Sequence, residues 1–99
     1  MKAFISQPMN GLSDEDIIEV RDTIWHIIQD KHGDDCEIID SYNYANAMSP
    51  LECLGEGIKF MEQADVVYFA PDWEEARGCV VEHAVAEFYG IPRVELSEL

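Results

Sequence analysis

Positive charge is what this chain most conspicuously has little of. Its 99 residues hold 6 Lys and Arg against 21 Asp and Glu, a formal net charge of −15. A nucleic-acid binder replaces phosphate counterions with a basic footprint, and no such footprint exists here. The same deficit disfavours docking on anionic membranes. Cysteine is scarce: Cys36, Cys53 and Cys79 are odd in number and lack CxxC spacing, so neither a disulfide framework nor a zinc knuckle is indicated. The apolar run after Met1-Lys2 is too short for a signal peptide or a membrane span. The expectation is a soluble protein of the reducing cytoplasm. Glycine and proline are few, 6 and 4, while 47% of residues are hydrophobic, which argues against disorder. One domain over residues 1–99, with one core, is expected.

What is present is an alternation of strand and helix signals. Residues 2–6 (KAFIS) read as a strand, followed by the turn residues Gln7-Pro8-Met9-Asn10-Gly11. Ser13 caps a helix with Asp16 at capping-box distance. Ile17, Val20, Ile24, Ile27 and Ile28 recur there at helical spacing, and His32-Gly33 ends it. Residues 37–42 (EIIDSY) read as a second strand and 43–49 as a polar loop. Ser49-Pro50-Leu51-Glu52 combines a capping serine, a proline at the first helical position and a glutamate that reaches back. Leu51, Leu54, Ile58 and Met61 mark that helix's inner face, and Gly55 and Gly57 within it point to close packing.

Residues 65–70 (DVVYFA) carry the signature of a central strand covered on both faces. A loop over 71–78 leads to a helix over 79–89 with Val80, Ala84 and Phe88 facing inward. Gly90 stops it, and 91–96 form a last strand whose Pro92 suits an edge. The pattern implies an α/β, three-layer Rossmann- or flavodoxin-like domain with a four-stranded parallel sheet, expected order 2-1-3-4.

In such a sheet, ligands bind beyond the carboxyl ends of the strands, where strand order reverses. That sets Ser6, Met9, Asn10 and Gly11 beside the loop carrying Asp72, Trp73, Arg77 and Gly78. Gly11 and Gly78 either let backbone approach a ligand or only make turns. Free N–H groups at the helix starts favour an anion. Glu82 lies early in the following helix among Val80, Val81 and Ala84. The helix dipole would hold it ionised, and loss of water would sharpen it as a nucleophile. A carboxylate so placed can attack an anomeric carbon; the plainer reading is a solvated helix glutamate. Asp72 either meets a sugar hydroxyl or a leaving base, or caps a helix with Glu75 at capping-box distance. Arg77 either holds an anion or pairs with Glu74 or Asp72. Trp73 either stacks on a base or anchors its loop. His26 and His32 read as structural. Cys79, His83 and Glu82 share a helix face but lack a fourth ligand, so no metal site is expected.

Residues 2–11 (KAFISQPMNG) and 64–94 (ADVVYFAPDWEEARGCVVEHAVAEFYGIPRV) resemble the nucleoside 2-deoxyribosyltransferase-like superfamily, in particular its short phage and bacterial members of unassigned function. The resemblance implies cleavage or transfer at the N-glycosidic bond of a deoxynucleoside or its 5′-phosphate, without cofactor or metal. Glu82 falls where that family keeps its nucleophilic glutamate. Asp65 matches the aspartate that opens the third strand, and Asp72 resembles a substrate-binding aspartate in the next loop. Homodimers or higher homo-oligomers are implied as well. One departure is at Phe4 and Ser6, the stretch where these transferases keep an orienting tyrosine; Tyr42 or Tyr44 is the candidate replacement. A non-catalytic protein that senses or sequesters a nucleotide on the same fold is the rival expectation, and an oligomeric scaffold with an empty cleft is a third.

Overall fold

The computed structural model describes residues 1–41 and 49–99. Two central strands organise it, β1 (Lys2–Ser6) and β3 (Val66–Phe69), which run parallel with Ser6 opposite Phe69. Short strands flank them, β2 (Glu37–Ile38) beside β1 and β4 (Arg93–Glu95) beside β3, so the all-parallel order is 2-1-3-4, as the alternation predicts. Pro92 precedes the last strand at the sheet's edge, where its missing N–H leaves no gap in the ladder; its carbonyl accepts from Val67 N at 2.9 Å.

Side-chain alternation along β1 and β3 divides the core into two layers. Ala3, Ile5, Val66, Tyr68 and Ala70 face α1 (Asp14–His32) and pack on Ile24 and Ile28. Phe4, Val67 and Phe69 face the other way, toward Met61 of α2 (Pro50–Met61) and Ala86 of α3 (Arg77–Phe88). Each large aliphatic or aromatic side chain so buried contributes about 1.5–3 kcal/mol. The predicted caps are present. Ser13 Oγ accepts from Asp16 N at 3.2 Å, and Ser49 and Glu52 form a reciprocal capping box. His32 closes the far end of the core, its Nε2 2.7 Å from the Tyr68 hydroxyl.

Three expectations need correction. The second strand is paired only over Glu37–Ile38, and Tyr42 of its expected span lies outside the described residues. Leu51, expected on the inner face of α2, is 79% exposed, and the residues that helix buries are Gly57 and Met61, in its second half. The inward face of α3 is also not the one expected. Cys79 and Ala86 are buried and Val85 packs on the core, whereas Val80 is exposed and Phe88 is 82% exposed. Cys79 and Ala86 are small enough to lie buried against the core and Val85 joins them, which leaves the arc carrying Val80 and Phe88 to solvent.

Candidate functional site

A cleft of about 750 Å³ opens at the carboxyl ends of β1 and β3, between the loops that leave them and the amino-terminal halves of α2 and α3. Ser6, Met9, Asn10, Asp72, Arg77, Gly78 and Glu82 all line it. This is the crevice a 2-1-3-4 sheet provides, since the chain departs from β1 and β3 to opposite faces.

Glu82 is its centre. It lies in the second turn of α3, half-buried, and Ser6 Oγ donates a 2.7 Å hydrogen bond to its Oε1. Its other oxygen rests against α2: a Cβ built on the buried Gly57 would sit 2.5 Å from Glu82 Oε2. No cation pairs with the carboxylate among the described residues. Burial therefore pushes its pKa up to about 7, against the hydrogen bond from Ser6, which acts to lower it. The expectation that the helix dipole holds Glu82 ionised is thereby corrected. That effect fades beyond the first turn, and desolvation dominates. Burial likewise pushes the adjacent Cys79 thiol up to about 11, so it stays neutral near pH 7.

Asp72 has a left-handed backbone, φ 67°, and makes no side-chain capping bond, so the capping explanation for it does not hold. Its carboxylate is exposed at the cleft. Arg77 makes no ion pair among the described residues, neither with Glu74 nor with Asp72. Ala76 at the N-cap of α3 offers no side-chain cap, so among the described residues the N–H groups of the first turn have no capping partner beside Arg77 and Gly78. A Cβ at Gly78 would meet nothing within 4 Å.

Three predicted residues are not brought to the cleft. Asp65 lies at the opposite, amino-terminal end of β3, where its Oδ2 accepts from Lys2 N at 2.7 Å; a residue that opens a parallel strand cannot reach the carboxyl edge. Trp73 stacks on His83 and packs on Phe69, which makes it a loop anchor. Gly11, at φ 80°, belongs to the turn closed by Leu12 N and Met9 O and does not line the cleft. Ser6 does line it, but its hydroxyl is committed to Glu82. Tyr42 and Tyr44 lie outside the described residues.

Other contributors have no motif to announce them. Arg21 of α1 donates to Gln7 Oε1 (3.0 Å), Ile39 O (3.2 Å) and Ser41 Oγ (3.2 Å), while Gln7 Nε2 donates to Ile17 O. This network ties the loop after β1 to the end of the second strand, and both Gln7 and Ser41 line the cleft. The close packing expected at the two glycines of α2 is found at Gly57, against Glu82, and not at Gly55, where a Cβ would meet nothing within 4 Å. Among the described residues no three His, Cys, Asp or Glu side chains gather as a metal site, and no helix is long and apolar enough to cross a membrane. No family model, curated protein or solved structure matches the chain.

Proposed function

We propose that the protein cleaves or transfers the deoxyribosyl group of a deoxynucleoside or deoxynucleoside 5′-phosphate through Glu82. The observation that carries this reading is a half-buried carboxylate, free of any cationic partner among the described residues, inside a cleft that also holds Asp72 and Arg77. Glu82 forms a bond to C1′ as the C1′–N bond breaks, and the base leaves with the bonding pair. Asp72 hydrogen-bonds a sugar hydroxyl or delivers the proton the departing base takes up. Water, or the nitrogen of a second base, then attacks C1′ and releases the Glu82 carboxylate, which gives hydrolysis or transfer. Met9, Asn10, Arg77 and Gly78 receive the 5′ end, the open N–H groups of α3 favouring an anion there.

A homodimer or higher homo-oligomer belongs to the same reading. Val80, Val81, Phe88 and Tyr89 leave an apolar face on α3, and a patch of that kind suits a protein partner. Sedimentation of the wild type and Phe88→Asp tests this part, with a smaller species expected for the variant.

Incubation with each deoxynucleoside and its monophosphate, with and without a second base, tests the chemistry. Free or exchanged base is expected, and Glu82→Ala abolishes it. Calorimetry showing a stable complex with intact ligand, and no product at high protein concentration, replaces this reading with that of a nucleotide-binding protein.

A further inference from the structure

Ser6 is the last residue of β1 and is 2% exposed. Its backbone is fixed by pairing with Phe69 and by the bond from Ala70 N to its carbonyl oxygen at 2.9 Å. A serine hydroxyl has one proton to donate, and here it goes to Glu82 Oε1 at 2.7 Å. Burial keeps the neighbouring Cys79 thiol neutral, so it does not compete as an anion for that proton. Oε2 lies against the bare Cα of Gly57 and receives no donor among the described residues.

We infer that Ser6 is the positioning residue of the site: from the rigid end of β1 it engages Oε1 of Glu82 and leaves Oε2, beside Gly57, as the attacking oxygen. This rests on Glu82 being the nucleophile. In the step, the Oε2–C1′ bond forms as the C1′–N bond breaks, the base leaves with the electron pair, and Ser6 keeps its proton throughout. A carboxylate rotating freely would present its lone pairs to C1′ only part of the time, and misplacement on the scale of 1 Å lowers rates by up to about 100-fold. The hydrogen bond also favours the ionised form, opposing the burial that raises the Glu82 pKa.

The test compares wild type, Ser6→Ala and Ser6→Thr by steady-state kinetics across pH, and by carbon-detected NMR titration of the Glu82 side-chain carboxyl in the same proteins. Ser6→Ala is expected to lower kcat by about 10- to 100-fold with KM within about twofold. It should also move the acid limb of the rate profile and the Glu82 midpoint to higher pH. Ser6→Thr, which keeps the hydroxyl, restores both. Among the described residues, the other ionisable groups of the cleft lining are Cys53, Glu56, Asp72, Glu75, Arg77, Cys79 and the terminal carboxylate of Leu99; they are common to all three proteins and cancel in the comparison. An unchanged kcat and an unmoved Glu82 midpoint in Ser6→Ala overturn the inference. A wild type without turnover on any substrate overturns the glycosyl-transfer reading instead, and the NMR arm then still decides whether Ser6 governs Glu82.

Discussion

The imidazole of His83 lies flat on the indole of Trp73, ring centroids 4.1 Å apart and planes within 10°, while its Nε2 sits 2.7 Å from Glu95 Oε1. Phe69 flanks both rings. One side chain of α3 thereby ties the loop that carries Asp72 to the edge strand β4. Trp25 has its own histidine neighbour, His26, so emission from Trp73 is read in a Trp25→Phe background. His83→Ala leaves the indole without its stacking partner, and Trp73 emission is expected to move to longer wavelength as water reaches the ring. An emission spectrum unchanged by that substitution means the stack does not govern Trp73.

Gly57 sits where α2 passes Glu82. Alanine there gains about 1 kcal/mol of helix propensity. Its Cβ, however, would lie 2.5 Å from Glu82 Oε2, with the Phe4 ring at 3.7 Å. The flexible carboxylate yields more readily than the helix backbone. Gly57→Ala is therefore expected to keep or raise Tm while turnover falls by an order of magnitude or more. Thermal unfolding and kcat measured on one preparation check this. A drop in Tm with activity intact would show that the helix, not Glu82, had moved.

Much of the fold is legible in the sequence because its signals are local. Ser13 and Ser49 act within one helical turn, and the apolar run of β-branched and aromatic residues over 65–70 needs only its own neighbours. The location of the cleft follows from topology, which is why Ser6, Asp72 and Glu82 meet there. The same rule excludes Asp65, since the residue that opens a parallel strand belongs to the opposite end of the sheet. The inner face of α3 was illegible for a physical reason. Val80, Ala84 and Phe88 have the right spacing, but contact with the sheet selects the small Cys79 and Ala86 instead. Gly57 and Arg21 act across long sequence separations, and no periodicity encodes a side chain meeting a distant backbone.

Arg21 is the fastening between the loop after β1 and the end of the second strand. Burial lowers its pKa from the ordinary arginine value, opposed by the charge of Asp40. Hydrogen bonds to a charged group contribute about 1.5–3 kcal/mol when the partners are otherwise shielded from water. Arg21→Met keeps the apolar stem but leaves Gln7 Oε1 and Ser41 Oγ without that donor. A loss of about 2 kcal/mol in urea unfolding is expected, together with a higher KM as Gln7 relaxes. Equal stability of variant and wild type would reduce the network to a surface feature.

Glu82 makes stability depend on pH in a direction opposite to that of most carboxylates. Its pKa in the folded protein is about 7 against an ordinary 4.5. Below the ordinary value the group is neutral in both states and contributes nothing. Between the two values the unfolded chain releases its proton first, so ionisation favours unfolding and stability falls as pH rises. The full effect, reached above pH 7, is roughly 3 kcal/mol at most, less to the extent that solvent reaches the half-buried carboxylate. Glutamine at this position is neutral throughout and can still accept from Ser6. Glu82→Gln is accordingly expected to match wild type near pH 4.5 and exceed it in urea midpoint at pH 8, the other acidic groups cancelling between the two proteins. The same titration gates the chemistry, because only the ionised carboxylate attacks C1′, so kcat/KM of the wild type should rise with pH toward a plateau above 7. A stability difference that does not change between the two pH values would mean Glu82 ionises normally, and the acid limb would then have to come from another group.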